Sequence, residues 1–505
     1  MPPRPHPLAV SRTADLMDRA ITNMWKRGLT VQPPLDPDFL WAKGSKGFAR
    51  EDEVSIRAPE DVADFRARLE ALCRSLREEA GLNALGHTMA YGQIVAAIEK
   101  RPALGRLWRE RPELVQTEIA PPIAVVGQMR AGTTRVHRLL AADPRHAGTR
   151  FCNAVDPVPP APGHFDWRPL KMRAGLAIAR LVNPWLDSQH PFGATRADEE
   201  LGWLTTALDV CAFEAQWHIP SYVRFSEGRD AAPLYREFAR ILRTDAAYMG
   251  DAERPRVLKC PKFAEDIPAL LAEFPATRLI VTRREPEDVL ASSVSLVAAQ
   301  SAFQSADLSL ARMRLEWERK LALREARMAA ALDHFDGPLA KVDFTALGRD
   351  WQAEIAQIYT ALGLTLTDAA LQAMGAEQTS MIIESVGMDA LIDMGGDKVA
   401  DVAAALDHEH LVSLGGDTVS NMVSAMNMEN FQSIGGDQTV TMIETVGLTA
   451  VIDLGSDKVA DVAGAMDKDN FQVLGADQVM EMAVAMDAQN LSSLGDSAAA
   501  GIIET

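Results

Sequence analysis

Residues 122–134 read Pro122-Ile123-Ala124-Val125-Val126-Gly127-Gln128-Met129-Arg130-Ala131-Gly132-Thr133-Thr134. The opening five form a short apolar, β-branched run, the pattern of a strand buried on both faces in a parallel sheet. Two glycines follow within six residues, and Arg135 to Ala141 then carries a helical pattern. Strand, glycine loop and helix in that order make an anion cradle. Backbone N–H groups converge on the anion, and the helix N-terminus adds partial positive charge. The glycine spacing is that of a Walker A loop, yet Thr133 stands where a nucleotide triphosphatase needs lysine. The loop's cation is Arg130, two residues before the second glycine. Gly127, Arg130, Ala131, Gly132, Thr133 and Thr134 are therefore the candidate anion-binding residues. Such a loop suits an anion transferred without a Mg-bound triphosphate, and the missing lysine argues against a nucleotide kinase.

Working outward, Arg256 to Cys260, Thr277 to Thr282 and Leu339 to Phe344 read as further strands. Helical patterns separate them, after Pro261-Lys262, after Pro286, from Leu308 to Leu332 and from Trp351 to Leu362. Alternation of this kind predicts right-handed βαβ units and a parallel sheet. Ahead of the loop, Val62, Phe65, Leu69, Leu72 and Leu76 recur at helical spacing, and more helix follows from about Met89 to Leu114. Residues 163–235 hold four of the nine tryptophans. They read as a loop-rich insert, either an apolar acceptor pocket or ordinary core beneath long loops.

The loop is similar to the 5'-phosphosulfate-binding loop of sulfotransferases that use 3'-phosphoadenosine 5'-phosphosulfate (PAPS). It looks closest to a bacterial branch whose loop carries Arg. The words Leu82-Asn83-Ala84-Leu85-Gly86 and Pro112-Glu113-Leu114 resemble the helical lead-in of that branch. The resemblance runs from about residue 50 to about 374. It implies that Arg284 and Ser292, eight residues apart, hold the cofactor's 3'-phosphate. An arginine offers phosphate a planar fork, and a hydroxyl on the next helix can face it. Here the family's Arg-Asp-Pro reads Arg284-Glu285-Pro286. Lys259 matches a lysine of the family. Negative charge grows on the bridging oxygen as the sulfuryl group leaves, and Arg130 and Lys259 are the cations placed to meet it.

Two departures bear on activity. Where relatives often place His after a Lys-Ser-Pro word, this chain has Phe263. The base then falls to the stretch that holds His190, Asp198 and Glu199, with His190 and Glu199 as catalytic candidates. Relatives also continue with a basic, glycine-containing segment that closes over the cofactor, whereas this chain enters an acidic segment.

That segment carries the whole net charge of −19. From Gly375 to Thr505 there are 3 Lys and no Arg against 22 Asp and Glu; the remainder holds 48 basic and 48 acidic residues. Binding to nucleic acid is disfavoured, because it needs clustered positive charge. Glycines recur every 20 residues from Gly375 to Gly495, with Asp at 397, 417, 437, 457 and 477. Gly387, Asp407, Asn427, Gly447, Asp467 and Asp487 mark a half-unit phase of helix caps. Each unit reads as two short helices that bury their apolar stripe only by stacking on neighbours, as an α-solenoid.

The four cysteines are far apart and form no CxxC pair, so neither a metal ribbon nor a disulfide framework is expected. No apolar run reaches the length of a membrane span. The N-terminal Met1-Pro2-Pro3-Arg4-Pro5-His6-Pro7 lacks the core of a signal peptide, so the cytoplasm is the expected compartment.

The expectation is thus an α/β protein in three parts. Residues 1–118 form a helical cap, residues 119–374 a P-loop, three-layer, sulfotransferase-like domain, and residues 375–505 an acidic all-α solenoid. The implied activity is transfer from PAPS, without metal, to a hydroxyl or amine of a small-molecule or glycan acceptor. The solenoid would meet a protein partner. The competing reading is a catalytically degenerate scaffold that displays those repeats.

Overall fold

The apolar run Ile123–Val126 is strand β1, with every residue buried. Val257–Lys259 forms β2, Arg278–Arg283 β3 and Leu339–Asp343 β4. All pair in parallel, in the order β2-β1-β3-β4. Ala124 lies opposite Leu258 on one side and Leu279 on the other, so the carboxyl ends of β1, β2 and β3 share one sheet edge. The chain leaves β1 for β2 on one flank and crosses back to β3 on the other. Such a switch point opens a crevice beyond the strand ends, where α/β proteins bind ligands.

The computed structural model describes residues 4–386 and 391–505. The half-unit position Gly387 and residues Met1 to Pro3 lie outside the described residues. The chain divides into two compact units, residues 1–368 and 369–505. In the first unit, the helices Pro59–Glu78 and Ala84–Glu110 precede the sheet. They share a core of Phe65, Leu69, Leu72, Ile94 and Ile98 with Phe213 and Trp217 from the insert. A second core gathers the sheet's Ala124, Leu258 and Leu279 with Trp203 and Phe238.

The insert differs from the loop-rich expectation. Helices occupy much of it, among them Arg168–Val182, Leu201–Thr205, Pro220–Glu227 and the start of Ala232–Met249. Its aromatics divide three ways. Trp203, Phe213, Trp217 and Tyr222 are core, Phe192 lines a cavity, and Phe165 and Trp167 face solvent. The segment thus supplies both core residues and a cavity residue.

In the second unit, helices of six to eleven residues alternate with glycine joints from Gly396–Ala404 onward. Gly395, Gly415, Gly435, Gly455 and Gly475 all have φ between +85° and +106°, a range hostile to other residues. Gly375 keeps the sequence period but sits inside the helix Asp368–Val386, which spans the change in composition. Gly495 has φ −66° and is also unlike the rest.

Candidate functional site

The loop after β1 turns by placing Arg130 itself in the left-handed region, at φ +67°. A non-glycine residue there is strained, and such strain persists where surrounding structure enforces it. Here the enforcement is visible, since Arg284 Nη1 donates to the Arg130 carbonyl at 3.0 Å. Gly132 follows at φ +84°, and a Cβ on it would meet the Phe344 ring at 2.7 Å. A Cβ on Gly127 would meet Thr282 Oγ1 at 2.3 Å. The helix Thr133–Ala141 then starts with no side-chain cap, which leaves its first N–H groups open to an anion.

Two groups of polar side chains flank this loop. On one side Arg130 Nε donates to Ser292 Oγ at 2.9 Å, and its Nη1 donates to the Gln189 carbonyl at 2.7 Å. The Arg284 guanidinium lies over the Phe344 ring at 4.4 Å, and its buried Nε has no partner among the described residues. Burial and the charge of Arg284 lower the pKa of Arg130, so two cations crowd one place with little to neutralise them. The carboxylate that Arg284 pairs with is Asp288, at 3.7 Å and mostly exposed. Poorly compensated cations and an orphaned donor are the features a phosphate would relieve.

On the other side lie Lys259, His190, Asp198 and Glu199. Lys259 ends β2 as a buried residue, with Nζ 2.7 Å from Glu199 Oε2. Its backbone N–H donates to Glu200 Oε2 at 2.8 Å. Burial pushes the Glu200 carboxyl up to about 8. His190 Nε2 is 2.9 Å from Asp198, and Arg138 approaches the same carboxylate at 3.6 Å. Burial alone would raise the pKa of Asp198, but His190 and Arg138 hold it below the usual range. With Asp198 engaging Nε2, the ring nitrogen of His190 left for another partner is Nδ1. His190, Asp198 and Glu199 offer ligand atoms within 4.8 Å of one another. Lys259 and Arg138 already supply positive charge to these carboxylates.

A cavity of about 440 Å³ joins the two sides. Arg130, Gly132, Thr133, Thr134 and Arg284 line one part of it, and His190, Glu199 and Lys259 another. The same cavity is lined by the apolar side chains of Phe192, Leu201, Ala215, Leu296 and Trp317, of which Trp317 and Leu296 belong to one cluster with the loop residues Met129 and Ala131. Arg324 also lines it; two of its nitrogens bond Glu265 and Glu214, while its buried Nη1 has no partner among the described residues.

Phe263 is not in the cavity. Its ring is buried in the core against Phe238 and Tyr235, so this position faces inward and its identity says little about the base. Several contributors carried no sequence signal. Phe344, the Gln189 carbonyl and Arg324 reach the site from distant parts of the chain. Gln189 sits one residue before His190, and only the fold shows that its carbonyl meets Arg130.

Residues 121–368 match the sulfotransferase family. The chain is 30% identical to sulfotransferase STF1 of Mycobacterium tuberculosis, with a TM-score of 0.61; the match covers 68% of this chain and 93% of that one. The chain belongs to the sulfotransferase family. STF9 of Mycobacterium avium, 20% identical, has the same fold, with a TM-score of 0.58 over 67% of this chain and 86% of that one. Among curated proteins, the omega-hydroxy-beta-dihydromenaquinone-9 sulfotransferases Stf3 of Mycobacterium bovis and Mycobacterium tuberculosis are each 29% identical over 196 residues. Those matches cover 36% of this chain and span about half the relatives' length, 47%. No helix of the described residues is long and apolar enough to cross a membrane.

Proposed function

We propose that this chain transfers a sulfuryl group from PAPS to a hydroxyl at the end of an apolar acceptor. The observation that carries the reading is one cavity whose lining joins the cations Arg130, Lys259 and Arg284 to apolar side chains, among them Phe192, Leu201 and Trp317. Gly127 to Thr134 would hold the 5'-phosphosulfate. Arg284 and Ser292 would hold the 3'-phosphate, using the orphaned Arg284 Nε. PAPS supplies the sulfuryl group; the rest of the chemistry falls to this chain's side chains.

His190, held through Nε2 by Asp198, takes the acceptor hydroxyl's proton at Nδ1. Glu199 keeps Lys259 in place. Lys259 and Arg130 set positive charge where negative charge grows on the departing phosphate oxygen. Arg130 donates to the Ser292 oxygen, which leaves that hydroxyl's own O–H to donate to the 3'-phosphate. Arg324 Nη1 offers a hydrogen bond to an oxygen on the acceptor. The relatives named for a hydroxylated menaquinone support a lipid-like acceptor. The pairing of Asp198 with His190, rather than Lys259 with Glu199, favours His190 as base, because an ammonium partner weakens a carboxylate's hold on a proton.

The test is transfer of labelled sulfuryl from PAPS to a hydroxylated polyprenyl quinol, by wild type and by Arg130→Ala. The variant should lose turnover far more than affinity for adenosine 3',5'-bisphosphate. A variant within about threefold of wild type, roughly 0.7 kcal/mol, would remove Arg130 from the reacting oxygen.

A further inference from the structure

The helix Arg168–Val182 presents an apolar face outward. Trp167, Leu170, Ala174, Ile178 and Leu181 all face solvent, and the four large ones are 44% to 64% exposed. At 100° per residue they fall within an arc of about 80°. Leu176, opposite that arc, is the helix's fully buried apolar residue. Phe165 extends the stripe at its start, packed edge-on against Trp167 at 4.9 Å and itself 63% exposed. A surface helix that packs Met172, Leu176 and Val182 inward and still exposes tryptophan, isoleucine and leucines carries a second apolar face, and such a patch marks an interaction surface.

The charge around the stripe indicates its occupant. The helix holds Arg168, Lys171, Arg173 and Arg180 and no acidic residue. Arg168 and Arg180 are tied to Asp166 and Asp187. Lys171 and Arg173 are exposed, have no acidic partner among the described residues, and flank the apolar arc on opposite sides. An apolar stripe with aromatic residues at one end and basic residues along its flanks is the pattern of a helix that lies in a lipid headgroup layer. A second copy of the chain fits less well, since a stable interface buries some 20–30 residues on each side and this stripe offers a handful.

We infer that the face of Arg168–Val182 docks on an anionic lipid surface. The stripe inserts at the headgroup level while Lys171 and Arg173 meet lipid phosphates. The chain's net charge of −19 does not oppose this, because screening confines electrostatics to about 8 Å at physiological salt. The inference does not depend on which group the protein transfers. It does set the cavity beside the lipid, because Arg180 donates to the carbonyl of Phe192, a cavity residue, at 2.9 Å.

The experiment is co-sedimentation of the full chain with vesicles of phosphatidylcholine alone and of phosphatidylcholine mixed with phosphatidylglycerol. Light scattering runs alongside without lipid. Wild type should bind the anionic vesicles. Trp167→Ser/Ile178→Ser/Leu181→Ser should weaken binding by about tenfold or more. Lys171→Glu/Arg173→Glu should abolish the preference for phosphatidylglycerol. All the changed side chains face solvent, so circular dichroism should show each variant folded. The inference is overturned if wild type binds neither vesicle, or if the triple variant, folded, binds as wild type does. It is equally overturned if wild type is a dimer that the triple variant dissociates, for the face is then an interface between copies.

Discussion

Arg284 shows what one residue is asked to do. Its Nη1 holds the strained loop through the Arg130 carbonyl, its face rests on Phe344, and its Nε is buried without a partner among the described residues. A buried guanidinium nitrogen left empty is costly unless a ligand fills it. We therefore expect Arg284→Ala to weaken adenosine 3',5'-bisphosphate by about 2–3 kcal/mol and AMP far less, measured by calorimetry. Equal losses for both would place Arg284 in loop support only. The members of this site were legible because each sits at a strand end or in a recognisable word: Arg130 and Gly132 after β1, Lys259 at the end of β2, Arg284 just past β3. Their grouping was not. The sequence assigns Arg130 to the reacting oxygen and Ser292 to the 3'-phosphate; only the fold shows the two side chains bonded to each other, at 2.9 Å. Phe263 misled for a related reason, since a residue's position in a word does not reveal which way its side chain points.

At the scale of elements, the second unit is more than a row of equal helices. Asn430 Nδ2 donates to Asp397 at 2.8 Å, Asn470 to Asp437 at 2.7 Å, and Asn490 to Asp457 at 2.9 Å. Each bond reaches back 33 residues, from the third residue of one short helix to the start of another. A 20-residue period read along the chain foretells glycine and cap positions but not this cross-link, which depends on how helices stack. It also accounts for Gly396 and Gly436, where a Cβ would strike the asparagine oxygen at 2.6 Å and 1.8 Å. In the first such pair His410 replaces asparagine and Glu377 replaces aspartate, at 3.1 Å. Burial would lower the pKa of His410, but Asp407 and Glu377 push it up to about 9. A raised histidine stabilises fully below its unfolded value, near 6.5, and that stabilisation is lost as pH climbs through about 9. Urea unfolding of residues 369–505 should therefore weaken by on the order of 1 kcal/mol between about pH 6 and pH 10. His410→Asn, which restores the amide of the other pairs, should remove that dependence. An unchanged slope in the variant would show that His410 is not its source.

For the molecule as a whole, charge and site separate along the chain. All the residues proposed to touch PAPS lie in the unit of residues 1–368, and the net charge of −19 belongs to the segment from Gly375 onward. We propose that this acidic unit serves a basic protein partner and takes no part in holding the cofactor. Expressed separately, residues 1–368 should retain bisphosphate binding, and residues 369–505 should show a helical circular dichroism spectrum. A folded first piece that no longer binds would mean that the repeats supply the closing segment other family members carry. The α/β class was legible from strand runs and their spacing; the helical content of residues 163–235 was not, because the helices there other than Arg168–Val182 and the start of Ala232–Met249 are four to eight residues long, too short to show a period. Everything proposed for the site rests on the glycine loop, Arg284 and Ser292 together holding a nucleotide with both a 5'- and a 3'-phosphate. Calorimetry of the intact chain with adenosine 3',5'-bisphosphate and with AMP, both without Mg, decides the matter. The bisphosphate should bind tighter by about a hundredfold, the worth of one charge-assisted phosphate contact. Equal affinity for the two would contradict a site built for both phosphates.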